Sequence, residues 1–106
     1  MSSVTIEILK DYKVFRFDFK SVAYVTEKDD ELSIDLILTD EDYREHGYGT
    51  AIINEIKSYC IDNSFKKIKV EIPKQSLDDN TKDHLINFCI NREFVLLDDD
   101  NLEYIV

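Results

Sequence analysis

The sequence predicts an α/β (α+β mixed) fold: one mixed sheet, in the order ββββ-α-β-α-ββ, with two helices packed on it. Three observations predict it. Apolar and polar side chains alternate through most of the first forty residues, the period of strands. From Tyr48 the apolar spacing changes to that of a helix. A strand pattern then returns at Lys66, and this β-α-β passage requires a right-handed crossover between parallel strands, which makes the sheet mixed.

Each element can be justified in turn. "VTIEIL" (Val4 to Leu9) alternates, and "KVFRFDFK" (Lys13 to Lys20) sets Val14, Phe15, Phe17 and Phe19 against charge. "VAYVTE" (Val22 to Glu27) and "LSIDLIL" (Leu32 to Leu38) are rich in β-branched residues and flank the polar turn "KDDE". These four segments predict an antiparallel meander. Ile52, Ile53, Ile56, Tyr59 and Cys60 then form a helical stripe that ends near "DNS". "KKIKVEI" (Lys66 to Ile72) is the next strand, and Pro73 stops it. "DDNTKDHLINFCINREF" offers capping residues and then Leu85, Ile86, Phe88, Cys89 and Phe94 on one face. "FVLL" and "LEYIV" flank "DDDN" as a closing hairpin.

At 106 residues the chain is expected to form a single domain, 1–106, with a core that needs no disulfide or metal. No stretch approaches the length of a membrane span, and "MSSVTIEILKDYKVF" has neither the basic start nor the apolar run of a signal peptide. Cys60 and Cys89 lie within apolar helical stripes and read as reduced, buried thiols of a cytoplasmic protein. No Cys or His stands near either at metal-ligand spacing, so no metal is expected. The net charge of −10 excludes an ordinary nucleic-acid binder, which must neutralise phosphates, and also a polybasic membrane dock. It fits a cationic partner such as a polyamine or a lysine-bearing protein, or it serves solubility alone.

Both glycines of the chain, Gly47 and Gly49, fall in "DYREHGYGTAII", directly before the first helix; average usage would give roughly seven in all. Glycine there permits positive φ and close backbone approach. The first turn of a helix carries unpaired N–H groups and partial positive charge, which together bind anions. Arg44, His46 and Thr50 could add side-chain donors. Two readings fit the residues: a phosphate cradle, or a tight turn that simply needs glycine. A Walker A loop is excluded, because "GTA" follows Tyr48 where Lys-Ser/Thr is required. A dinucleotide fingerprint is excluded by Ile52 in place of its third glycine.

What does fit is Arg-x-x-Gly-x-Gly, written Arg44-Glu45-His46-Gly47-Tyr48-Gly49. This resembles the pyrophosphate loop of the GNAT acyl-CoA-dependent N-acetyltransferases, which follows their fourth strand and opens a helix. The resemblance runs from about residue 31 to 106. It extends to "LINFCINREF", where Phe88, Cys89 and Phe94 fall in register with the family's Phe-Tyr-x-x-x-Gly-Phe ending. Glu45 replaces a frequent glycine, Glu93 replaces the glycine before the last Phe, and Cys89 stands at the leaving-group tyrosine. The N-terminal helices of larger members are absent from the pattern. Minimal members of this kind include phage-encoded proteins that acetylate a lysine on a host defence nuclease, a target that an acidic surface suits.

The resemblance implies acetyl-CoA as co-substrate and transfer to a primary amine by direct attack on the thioester. Backbone groups of Ile37, Leu38 and Thr39 would pair with the pantetheine arm. Backbone N–H groups of Arg44, Glu45, His46, Gly47, Tyr48, Gly49 and Thr50 would hold the pyrophosphate. An N–H of strand four, that of Leu38 or a neighbour, would stabilise the oxyanion, a contribution of roughly 3–4 kcal/mol. Asp35, an acid within an apolar strand and on the face of Ile37 by alternation, is the candidate base; its other reading is a solvent-facing strand position. Glu71 is the second candidate. Cys89 is the candidate acid for the departing thiolate, or else a core residue, and Tyr48 or Tyr104 could supply a phenol instead. His46 reads as a phosphate contact or a solvated loop residue, and His84 as a surface residue rather than a catalyst. "DDD" (Asp98 to Asp100) is a solvated loop or an attractor of the cationic acceptor. Set against the enzyme is a non-catalytic acidic protein on the same scaffold that covers a basic surface. A monomer, or a homodimer through a sheet edge, is expected in either case.

Overall fold

The computed structural model describes residues 4–17, 21–39, 47–72, 79–98 and 100–106. Its elements are β1 (Val4–Ile8), β2 (Lys13–Phe17), β3 (Ser21–Lys28), β4 (Glu31–Thr39), α1 (Tyr48–Asp62), β5 (Lys67–Glu71), α2 (Asp79–Ile90), β6 (Val95–Leu96) and β7 (Asn101–Ile105). The predicted order holds element for element. β1 to β4 form the antiparallel meander, β5 joins β4 in parallel, and β7 and β6 complete a seven-stranded sheet in the order β1-β2-β3-β4-β5-β7-β6.

Strand register decides where the core lies. Phe15 pairs with Ala23 and Ala23 with Ile37; Val25 pairs with Ile34, Ile34 with Val70, and Val70 with Leu102. Directly paired residues share a face, and this face carries the core cluster, while Val14, paired with Tyr24, is buried on the opposite one. Ile52, Ile53, Ile56 and Cys60 of α1, with Cys89 of α2 and Phe94 just beyond it, join the strand residues of that cluster. Both helices therefore cover the same side of the sheet. Each large side chain removed from water there contributes roughly 1.5–3 kcal/mol. On the other side the rings of Tyr12 and Tyr24 lie 6.0 Å apart, and Leu36 and Leu38 are exposed.

The two cysteines are free thiols buried in this core. Burial pushes both up to about 11, with the guanidinium of Arg92 pulling the Cys89 thiol the other way. No helix among the described residues is long and apolar enough to cross a membrane.

The turn after α2 forms although its glycine position is occupied by Glu93. Glu93 takes φ 75°, its N–H donates to the Ile90 carbonyl at 3.0 Å, and the Phe94 N–H donates to Cys89 at 3.1 Å. These two bonds are the Schellman closure of a helix, in which the penultimate residue is left-handed. Glu93 accepts that conformation, and Phe94 is delivered into the core.

Candidate functional site

β4 pairs with β3 along its whole length, from Glu31 opposite Lys28 to Thr39 opposite Ser21. With β5 it pairs only from Glu31 to Ile34. Among the described residues, the β5-side edge of Asp35 to Thr39 thus has no ladder partner. The divergence starts at a bulge: Val25 pairs with Ile34 while the adjacent Tyr24 pairs with Leu36, so Asp35 is an extra residue without a cross-strand partner. A bulge bends its strand and increases the local twist, which turns the second half of β4 away from β5.

The bulge also corrects the alternation expected for this strand. Ile34 and Ile37 share the helix-covered face although three residues apart, because their partners Val25 and Ala23 are two apart. Asp35, expected on the face of Ile37 by simple alternation, is instead the exposed bulge residue at the fork. Ser21, only 3% exposed, donates its hydroxyl to the Leu38 carbonyl at 3.0 Å. That carbonyl points toward β3, and strand alternation then turns the peptide groups of Ile37 toward the open edge.

α1 starts beside this fork in sequence. Gly47 caps it at φ 82°, ψ 6°, in the left-handed region. A Cβ on Gly47 would meet nothing within 4 Å, so the conformation rather than crowding calls for glycine. The Gly47 carbonyl accepts the Ala51 N–H at 2.9 Å. No side chain caps the helix through this residue, and no acidic residue stands in the first turn. The positive end of the helix is therefore not offset by its own carboxylates. Gly49 is buried within that turn, and the ring of Tyr48 packs on Phe17 at 4.8 Å. Arg44, Glu45 and His46 lie outside the described residues; Thr39 closes the β4 ladder through its backbone.

Thr50 has a partner that spacing along the chain gave no hint of. Arg92, 42 residues on in the turn after α2, donates through Nε to Thr50 Oγ1 at 2.9 Å and through Nη2 to the same oxygen. Its Nη1 donates to the Phe88 carbonyl at 2.8 Å, and the guanidinium lies 3.8 Å from the centre of the Phe88 ring. Lys57, two turns after Thr50 on α1, donates to the Arg92 carbonyl at 2.7 Å and stands 4.2 Å from the Tyr104 ring. A seam of cations and neutral acceptors thus joins α1 to the end of α2.

The remaining candidates separate by exposure. Cys89 is 1% exposed within the core cluster, so its placement supports the packing role rather than that of an acid. Tyr104 is half-buried, its ring 5.5 Å from Phe94. Glu71 and His84 are exposed. Two of the three acids in "DDD" are bound into the fold. Asp98 accepts from the Asp100 N–H at 2.9 Å and from Asn101 Nδ2, and Asp100 pairs with Lys82 at 3.1 Å. Asp99 lies outside the described residues. Among the described residues no group of His, Cys, Asp or Glu is arranged to hold a metal.

Residues 9–94 match the family described as Acetyltransferase (GNAT) family. No curated protein matches the chain. Among solved structures, it is similar to Ard1 from Thermoplasma volcanium at 20% identity and TM-score 0.68, over 91% of this chain and 70% of that one. It is also similar to the PaiA N-acetyltransferase from Thermoplasma acidophilum in complex with coenzyme A, at 9% identity and TM-score 0.73, over 90% of this chain and 60% of that one. The anti-CRISPR protein AcrVA5 matches at 15% identity and TM-score 0.62, over 96% of this chain and 98% of that one. The forked strand, the glycine-capped helix that follows it and the family match over most of the sequence lead to one conclusion: this chain belongs to the GNAT acetyltransferase family.

Proposed function

We propose that the protein is an acetyl-CoA-dependent N-acetyltransferase of primary amines, a protein lysine among them. The observation that carries this is the conjunction of an unpartnered β4 edge with a carboxylate-free, glycine-capped first turn of α1. One offers peptide groups to an amide-bearing arm, and the other offers N–H groups and positive potential to a diphosphate. Bound there, acetyl-CoA supplies an activated acyl carbonyl.

The residues of the chain supply the rest. Ile37 and Thr39 present peptide groups to the pantetheine arm, while the Leu38 carbonyl is held by Ser21. An N–H of this run, that of Ile37 first, donates to the oxyanion that forms when the amine attacks. The loop from Arg44 to Thr50, with Glu45, His46, Gly47, Tyr48 and Gly49 between, holds the diphosphate. A protonated lysine, pKa about 10.4, is no nucleophile, and Asp35 at the fork is the base that takes its proton. Cys89 serves the core, and the departing thiolate is protonated without a dedicated side chain.

The acidic surface, with 23 acidic against 13 basic side chains, fits a cationic acceptor. The buried Cys89 favours one second reading, a non-catalytic acidic binder on the same scaffold.

Titration of acetyl-CoA into the purified protein tests the proposal, with free CoA and Gly47→Ala/Gly49→Ala as controls. Micromolar affinity lost in a folded double variant, followed by acetylation of lysine peptides, is expected. Absence of binding by the folded wild type removes the proposal. Binding without turnover on any amine favours the second reading.

A further inference from the structure

We infer that Arg92 is a positioning residue for the cofactor turn, acting through Thr50; the inference rests on the acyl-CoA reading above. In a chain with 23 acidic against 13 basic side chains, a half-buried guanidinium would ordinarily be met by a carboxylate. Among the described residues the partners of Arg92 are instead the Thr50 hydroxyl, the Phe88 carbonyl and the Phe88 ring.

The geometry fixes what Thr50 does. A hydroxyl oxygen has two lone pairs and one hydrogen. Nε and Nη2 of Arg92 both donate to Thr50 Oγ1, which occupies its acceptor capacity and leaves its own hydrogen to be given away. A cation behind the oxygen polarises the O–H bond and makes it a stronger donor. Thr50 sits in the first turn of α1, two residues after Tyr48 opens that helix. Arg92 thereby converts an ambivalent hydroxyl into a dedicated donor at the end of the helix where the diphosphate is proposed to lie.

The same side chain is anchored at its other end. Nη1 is held by Phe88, the flat guanidinium rests on the Phe88 ring, and the Arg92 carbonyl accepts from Lys57 at 2.7 Å. The fork that chelates one oxygen with two N–H groups belongs to arginine; an ammonium at the same site makes a single contact. The turn that closes α2 carries a residue that reaches across 42 positions to set the orientation of one hydroxyl.

The experiment is a double-mutant cycle on acetyl-CoA affinity. Wild type, Arg92→Gln, Thr50→Val and the double variant are titrated with acetyl-CoA, with Arg92→Lys and Thr50→Ser as conservative variants and thermal unfolding recorded for each. Arg92→Gln is expected to weaken binding about tenfold in the wild type and less than twofold in the Thr50→Val background. Thr50→Ser keeps the sensitivity to Arg92→Gln, and Arg92→Lys restores less than half of the lost affinity on a logarithmic scale. An equal loss in both backgrounds, or unchanged affinity in Arg92→Gln, overturns the inference. A folded wild type that does not bind acetyl-CoA overturns the acyl-CoA reading itself, an outcome separate from any failure of the cycle.

Discussion

Ile34 and Ile37 lie three residues apart on β4 yet face the same core, because Asp35 is inserted between their ladder positions. The bulge is a property of the backbone, whereas the carboxylate it exposes is a property of one side chain. Asp35→Asn separates the two. Acetyl-CoA affinity is expected to stay within about twofold, while kcat falls by about 100-fold or more, as for loss of a general base. Steady-state kinetics beside a binding titration check this, and equal kcat in the variant removes Asp35 from the chemistry.

Cys89 is enclosed by the core, and burial holds its thiol up at about 11. Cys89→Ala is expected to lower stability by roughly 1–2 kcal/mol through the small void it leaves, with kcat unchanged within about twofold. A denaturant titration and an acetylation assay check the two halves. A hundredfold loss of kcat in a folded variant would instead make Cys89 an acid or acyl acceptor.

Glu93 holds φ 75° at the left-handed position that closes α2. An L-residue there is disfavoured by roughly 1–2 kcal/mol, and glycine is not. Glu93→Gly is therefore expected to stabilise the protein by about 1 kcal/mol after the added freedom of the unfolded chain is offset. The midpoint of urea unfolding should rise with its slope unchanged.

On β3, Glu27 accepts from Lys13 at 2.6 Å and from Tyr59 of α1 at 2.5 Å, through the same oxygen. Desolvation pushes the Glu27 carboxyl up, but the bonds from Lys13 and Tyr59 outweigh it and leave the group below its ordinary value. A carboxyl depressed on folding contributes stability above its unfolded pKa and loses it as pH falls through the folded pKa. Glu27→Gln should therefore cost about 1 kcal/mol at neutral pH, and the difference from wild type should close under acid. Melting curves from neutral pH down to about 3 check it. A constant difference across that range would show that the carboxylate charge is not what Tyr59 and Lys13 recognise.

Much of this architecture could be read directly. The alternation of Val4 to Leu38 and the stripe from Ile52 to Cys60 gave the element order, because each segment buries one face and periodicity records that face. The bulge escaped because Leu36, Ile37 and Leu38 are all apolar, so the strand satisfies either phase before and after Asp35. Gly47 was legible as a special position because nothing but glycine takes φ 82° at low cost. Glu93 was marked only through the resemblance, as the residue at the family's glycine; its own chemistry does not announce φ 75°. The bond from Arg92 to Thr50 spans 42 residues, and no local period links positions so far apart. What the residues alone supplied was the chemistry of the turn; its supporting contacts came from Arg92, in the turn after α2, reaching Thr50 and Lys57 of α1.

The open edge of β4 is made of peptide groups, and peptide groups are the same whatever side chains they carry. The grip proposed for it would exert little selection on the identity of Ile37 or Leu38. It depends on a bulge, a left-handed cap and a strand that stops pairing after four residues, and each can be written in many ways. At 9% identity with PaiA the chain still shares its fold, at a TM-score of 0.73, so the path of the main chain keeps what the letters do not.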